Sequence, residues 1–97
     1  MQYVPNYENK VQYIVDLIKD KNDINILELG VREGISTKQF LEVCKKNNGN
    51  LISVDIEDCG KVSNDSNWRF IHSRDDNFEL IDKNIKKLLI DLYLIKF

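Results

Sequence analysis

Several function classes are excluded by what this sequence has little of. Its two cysteines, Cys44 and Cys59, are too far apart for the C-x-x-C spacing of metal knuckles and redox motifs. They read as reduced thiols of a cytosolic protein. The single histidine, His72, has no Cys, Asp or Ser partner at a recognisable spacing, so it reads as a strand-end residue and not as a base. No uncharged apolar run approaches the ~20 residues of a membrane span. Met1 to Lys10 lacks the apolar core and small-residue cleavage site of a secretory signal. An excess of basic charge is also missing: 14 Lys and Arg stand against 16 Asp and Glu, whereas a binder of nucleic-acid phosphates carries a strongly basic face. There is no internal repeat or low-complexity stretch.

What is present is a chain of 97 residues with 42% hydrophobic and 31% charged side chains. That composition predicts one soluble globular domain and excludes a multidomain enzyme. A chain of this length buries only about 60–65% of the surface it exposes when unfolded, so its core is modest.

The apolar pattern alternates between helix and strand. After Pro5-Asn6, Val11, Ile14, Val15 and Ile18 follow the spacing of one buried helix face, with Asn6 as its N-cap. Ile24 to Leu29 is a short apolar strand ended by Gly30. A second helix is expected from Ser36, where Ser36 and Gln39 match a capping box, and it carries Phe40, Leu41 and Cys44 up to Asn47-Asn48-Gly49. Leu51 to Asp55 reads as the second strand, 57–67 as a polar loop, and Trp68 to His72 as the third strand. Asp76 or Asn77 caps a third helix bearing Phe78, Ile81 and Ile85, and Leu89 to Phe97 forms a fourth strand. This order predicts an α/β fold: a partial Rossmann-like three-layer sandwich of about four parallel strands with flanking helices. The fourth strand is apolar and falls at the chain terminus. Either the sequence is part of a larger domain or another chain covers that open sheet edge.

The chemistry concentrates in Glu28-Leu29-Gly30-Val31-Arg32-Glu33-Gly34-Ile35-Ser36-Thr37, which puts a carboxylate at a strand end, a glycine turn after it, and then a helix. Ligands of open α/β sheets settle at that place. A P-loop needs Lys after the second glycine, where Ile35 stands. A dinucleotide fingerprint needs glycine where Arg32 stands, and Glu28 and Glu33 bring negative charge to a turn that would have to hold phosphate. A cationic ligand without phosphates, such as S-adenosylmethionine, suits the turn better.

Glu28 to Gly34 resembles motif I of the class I S-adenosylmethionine-dependent methyltransferases, closest to the relaxed E-x-G-x-x-x-G-x-S branch that includes cephalosporin-hydroxylase-like methyltransferases. Ile52 to Ile56 is similar to the second motif, and Trp68 to Asp76 to the third strand and the loop after it. The likeness spans roughly residues 11–95. The resemblance implies that Glu28 meets the methionine ammonium directly or through water, and that Gly30, Val31 and Gly34 shape the turn beneath methionine and sugar. It gives Asp55 two ribose hydroxyls, Ile56 the adenine face, and Asp75 or Asp76 the adenine amine, with Ser36 and Thr37 as further cofactor contacts.

Simpler roles exist for the same residues. Glu28 also suits an ion pair with a lysine, Asp55 the cap of the following turn, and Asp75 or Asp76 a helix N-cap. Arg32 and Arg74 lie near the same place and also suit solvent. Cys44 is expected to be buried and inert, Trp68 to anchor core or edge, and Lys83, Lys86 and Lys87 to form a solvated helix face.

Members of the resembled family continue past the fourth strand into an acidic loop and the acceptor pocket, where this sequence ends Ile95-Lys96-Phe97. The expectation is therefore a single shortened domain, 1–97, that binds S-adenosylmethionine without catalysing methyl transfer alone. No catalytic residue and no metal are assigned to it. A small-molecule cofactor is the expected partner, with no nucleic acid or membrane and with self-association through the open edge. The alternative is a non-catalytic assembly module pairing through that fourth strand.

Overall fold

The structure, a computed structural model, describes residues 7–85 and 92–96. In chain order its elements are α1 (Tyr7–Ile18), β1 (Asn25–Leu29), α2 (Ile35–Lys46), β2 (Asn50–Asp55), β3 (Trp68–His72), α3 (Phe78–Ile85) and β4 (Leu92–Lys96). The strands form one sheet in the order β3-β2-β1-β4, and every neighbouring pair is parallel.

Side chains alternate across each strand, so the two faces of the sheet build two cores. Ile26, Leu51 and Ile95 meet Val11 and Ile18 of α1 and Phe40, Leu41, Val43 and Cys44 of α2. On the opposite face Leu27, Ile52, Val54 and Ile71 meet Ile81 and Ile85 of α3. Helices thus cover both faces, as central parallel strands buried on both sides require. The expected four-stranded parallel architecture is the one observed.

Two details of the helices differ from expectation. α2 does not start with a Ser36 capping box: Gly34 is its N-cap, left-handed at φ 86° and without a side-chain cap bond. Ser36 lies inside the first turn, where its hydroxyl donates to the Glu28 carboxylate at 2.6 Å. A charged acceptor is worth more to a hydroxyl than a neutral one, and that bond takes the side chain away from the helix end. The far end of α2 is as expected. Asn47 is the C-cap, Asn48 is left-handed at φ 57°, and the Gly49 amide donates back to the Cys44 carbonyl at 2.7 Å, the closing bond of a Schellman motif.

Asn77 caps α3, accepting the Leu80 amide at 3.3 Å, whereas the Asp76 carboxylate pairs with Arg74. Phe78, expected on the apolar face of α3, is 71% exposed. A helical side chain lies over the turn that precedes it, and the first residue of a helix has no such turn to cover. The expected Asn6 cap, Lys86, Lys87, 89–91 and Phe97 lie outside the described residues.

Residues 56–67 contain no helix or strand, yet their shape is fixed locally. Asp58, Ser63 and Asp65 each accept the amide two residues on, which is how short polar side chains stabilise turns. Lys45 reaches Asp65 at 3.2 Å, and Asn67 donates to the Gly49 carbonyl at 2.8 Å. Val62 then lies directly on Gly34, in the space that a Cβ there would occupy.

Candidate functional site

Two carboxylates at strand ends organise the turn between β1 and α2. Glu28 is fully buried. One of its oxygens accepts Ser36 Oγ at 2.6 Å; the other accepts Thr37 Oγ1 at 2.6 Å and Ser53 Oγ at 2.8 Å. Burial raises its pKa above the ordinary carboxylate value, and the three hydroxyls work against that rise without cancelling it. Neither a ligand ammonium nor a lysine is needed to satisfy this group. Glu28, expected to meet a methionine ammonium directly or through water, has no exposed surface, and its bonds to three hydroxyls pin the first turn of α2 to β1 and β2. Ser36 and Thr37, both buried, serve the same pin.

The second carboxylate, Asp55, ends β2. Its Oδ2 accepts the amides of Val31 at 2.7 Å and Arg32 at 2.9 Å, and its Oδ1 accepts the Glu57 amide at 2.9 Å. Burial acts to raise its pKa, but these amides and the Cys59 thiol outweigh it and hold the group below the usual carboxylate range. A carboxylate has about four lone-pair directions. Three amides take three of them, and the Cys59 thiol, a weak donor, lies near enough to help hold the pKa down. Asp55 therefore does cap the turn that follows it, and it also ties that turn to the one after β1. The Cys59 thiol is pushed up in turn, first by burial and then by the Asp55 charge.

Between these strand ends lies a concavity of ≈ 470 Å³, within the range of small-molecule sites. Leu29, Gly30 and Arg32 line it from β1 and its turn, Val54 to Glu57 from the end of β2, and Arg74 and Asp75 from the loop after β3. Gly30 holds φ 104° and Arg32 φ 54°, both in the left-handed region, where glycine fits easily and arginine with strain. Ile56 is 63% exposed and forms an apolar shelf. Its carbonyl is bonded to His72 Nε2 at 2.9 Å, and the Ser73 amide continues the β2–β3 ladder to the Asp55 carbonyl at 2.9 Å.

Of the residues expected at the site, Gly30, Asp55, Ile56 and Asp75 share this wall. Val31 faces a neighbouring depression with Arg32, Glu33 and Ile35. Gly34 is covered by Val62, and Glu28 and Ser36 are internal. The wall residues Leu29, Val54 and Glu57 carried no sequence signal apart from their place next to a strand end. Among the described residues, no group of three or more His, Cys, Asp or Glu is placed to hold a metal ion, and no helix is long and apolar enough to cross a membrane. No protein-family model, curated protein or solved structure matches the chain.

Proposed function

We propose that this chain binds S-adenosylmethionine at the concavity, as the cofactor half of a class I methyltransferase. One observation carries the reading: the amides of the turn after β1 are already occupied. A dinucleotide or phosphate loop works by aiming free backbone N–H groups at the ligand's phosphates. Here Val31 and Arg32 donate to the protein's own anion, Asp55. A pyrophosphate would have to displace a carboxylate that the fold supplies. An adenosine compound without phosphates faces no such competition.

The wall suits the parts of that compound. The Ile56 shelf offers an apolar face to adenine, and Asp75 of the same wall is the acceptor for the adenine amine in this reading. A ribose hydroxyl is a better donor to Asp55 than the Cys59 thiol and takes the fourth lone-pair direction. That leaves room for one ribose bond at Asp55, not the two expected from the resemblance; Glu57, on the same wall, takes the second hydroxyl. The bound cofactor supplies the activated methyl group, and the chain's part is to hold and align it.

Titration calorimetry with S-adenosylhomocysteine and, separately, NAD tests the reading. Saturable heat with the first and none with the second is the expected result. A folded protein that gives no heat with millimolar S-adenosylhomocysteine, or that binds NAD more tightly, overturns it.

A second reading, an assembly module joined through the β4 edge, is favoured by a groove of ≈ 570 Å³ between α1 and β4. Leu17 beside it is 57% exposed, and Leu94 of β4 is 64% exposed. Light scattering after size exclusion separates the two readings: a defined dimer supports the module, a monomer that binds the nucleoside the first reading.

A further inference from the structure

Arg32 is the wall residue whose conformation is least expected of its type. Its φ of 54° is one that side-chain-bearing residues adopt at a cost, and such strain collects where a ligand is gripped. In this conformation the Arg32 amide donates to Asp55 Oδ2 at 2.9 Å, with the Val31 amide beside it at 2.7 Å. The side chain borders both the main concavity and the adjacent depression of ≈ 230 Å³.

The two arginines of the wall differ in their partners. Arg74 is committed to Asp76 through bonds of 3.0 and 2.9 Å from Nε and a terminal nitrogen. Among the described residues, no hydrogen bond or ion pair engages the Arg32 guanidinium. The acidic wall residues are Asp55 and Glu57 at the end of β2 and Asp75 after β3, whereas Arg32 belongs to the turn after β1. The concavity therefore has a cationic edge and an acidic edge, and a ligand charged at one end only would leave the other unanswered.

We propose that Arg32 is the specificity-determining residue for the ligand's amino-acid end, gripping its carboxylate through the guanidinium fork. This rests on the S-adenosylmethionine reading and deepens it. With Glu28 sealed inside the protein, recognition of that end passes from its ammonium to its carboxylate. The planar guanidinium matches a carboxylate in two parallel bonds, a fit that lysine lacks.

The test compares two ligands on three proteins by calorimetry: S-adenosylhomocysteine and its decarboxylated 3-aminopropyl thioether, against wild type, Arg32→Ala and Arg32→Gly. Wild type is expected to prefer the acid by about tenfold to a hundredfold, the range of a charge-assisted pair. Both variants lose that factor for the acid alone, so the preference collapses. Arg32→Gly suits the left-handed backbone, and an unchanged thermal midpoint shows that its loss is not a folding defect. If both ligands bind but wild type does not discriminate, or the variants still do, the Arg32 assignment is wrong while the cofactor reading stands. If neither ligand binds wild type, both are wrong.

Discussion

The Trp68 indole and the Glu28 carboxylate share one hydroxyl: Ser53 Oγ accepts Trp68 Nε1 at 2.9 Å and donates to Glu28 at 2.8 Å. The three residues sit on β3, β2 and β1, so a polar chain crosses the sheet beneath its apolar layers. Replacing Ser53 by Ala breaks both links and leaves an indole N–H without its acceptor. A loss of about 1–3 kcal/mol is expected, which lowers the thermal midpoint by about 4–8 °C per kcal/mol in a domain of this size. Trp68 is the only tryptophan, so its fluorescence reports the melt. A midpoint within error of wild type would show that the chain carries no energy.

Glu28 sets a pH dependence whose sign follows from its raised pKa. The folded chain holds this proton more tightly than the unfolded chain, whose value is 4.5. The stabilising contribution is therefore complete below that pH and is lost as pH rises through the folded-state value. Glu28→Gln carries no titrating group and removes the loss, so urea unfolding should show the variant gaining on wild type as pH rises between 4.5 and the raised folded-state value. Asp55, lowered from 3.8, acts in the opposite sense and in a separate window: its stabilisation is present above 3.8 and disappears on acidification. Identical pH slopes for wild type and Glu28→Gln between the two limits would contradict the burial effect.

Glu28 also marks where the sequence stops being readable. Strand alternation and helix spacing place the described elements to within a residue or two, because burial periodicity is a property of the chain itself; the exception is β4, expected from Leu89 and observed from Leu92. The meaning of a single carboxylate is not. Glu28 at a strand end reads equally as a ligand contact or an ion pair, and what decides is the presence of Thr37 and Ser53, one nine residues on and the other twenty-five. Ser36-x-x-Gln39 matches a capping box by spacing alone, yet the hydroxyl found a charged acceptor across the turn. That Asp55, Ile56, Gly30 and Asp75 line one concavity is legible in the sequence because strand ends in a parallel sheet converge. That Glu57 joins them is not, since it is one acidic residue in a polar loop.

The seat of Val62 on Gly34 gives a paired prediction. Gly34→Ala places a methyl group into Val62 at a backbone φ of 86° and should cost about 1–3 kcal/mol from strain before any clash is counted. Adding Val62→Ala makes room for the methyl group but does not change φ. The double variant should recover part of the loss, and a double-mutant cycle by chemical denaturation measures the coupling. Strict additivity of the two changes would mean that the loop does not rest on the glycine.

Thiol labelling separates the two cysteines. Cys44 has no exposed surface, and burial pushes its pKa up to about 12; Cys59 is 9% exposed and also raised. Reactivity follows the thiolate and its access, so a disulfide reagent at neutral pH should modify Cys59 slowly and Cys44 only on unfolding. A ligand hydroxyl that displaces the Cys59 thiol from Asp55 changes the first rate and leaves the second alone. Equal rates for both thiols in the native protein would count against the buried seat of Cys44.

The bonds from Asp55 to the amides of Val31 and Arg32 span more than twenty residues of sequence, so they close α2 and both its flanking turns into one loop. Such a loop has no stepwise way to fray. Slow exchange of the Val31 and Arg32 amide protons, released only when the end of β2 lets go, is the expected consequence. The concavity between the strand ends therefore keeps its shape without a ligand, and a molecule entering it meets a surface whose ordering was completed when the protein folded.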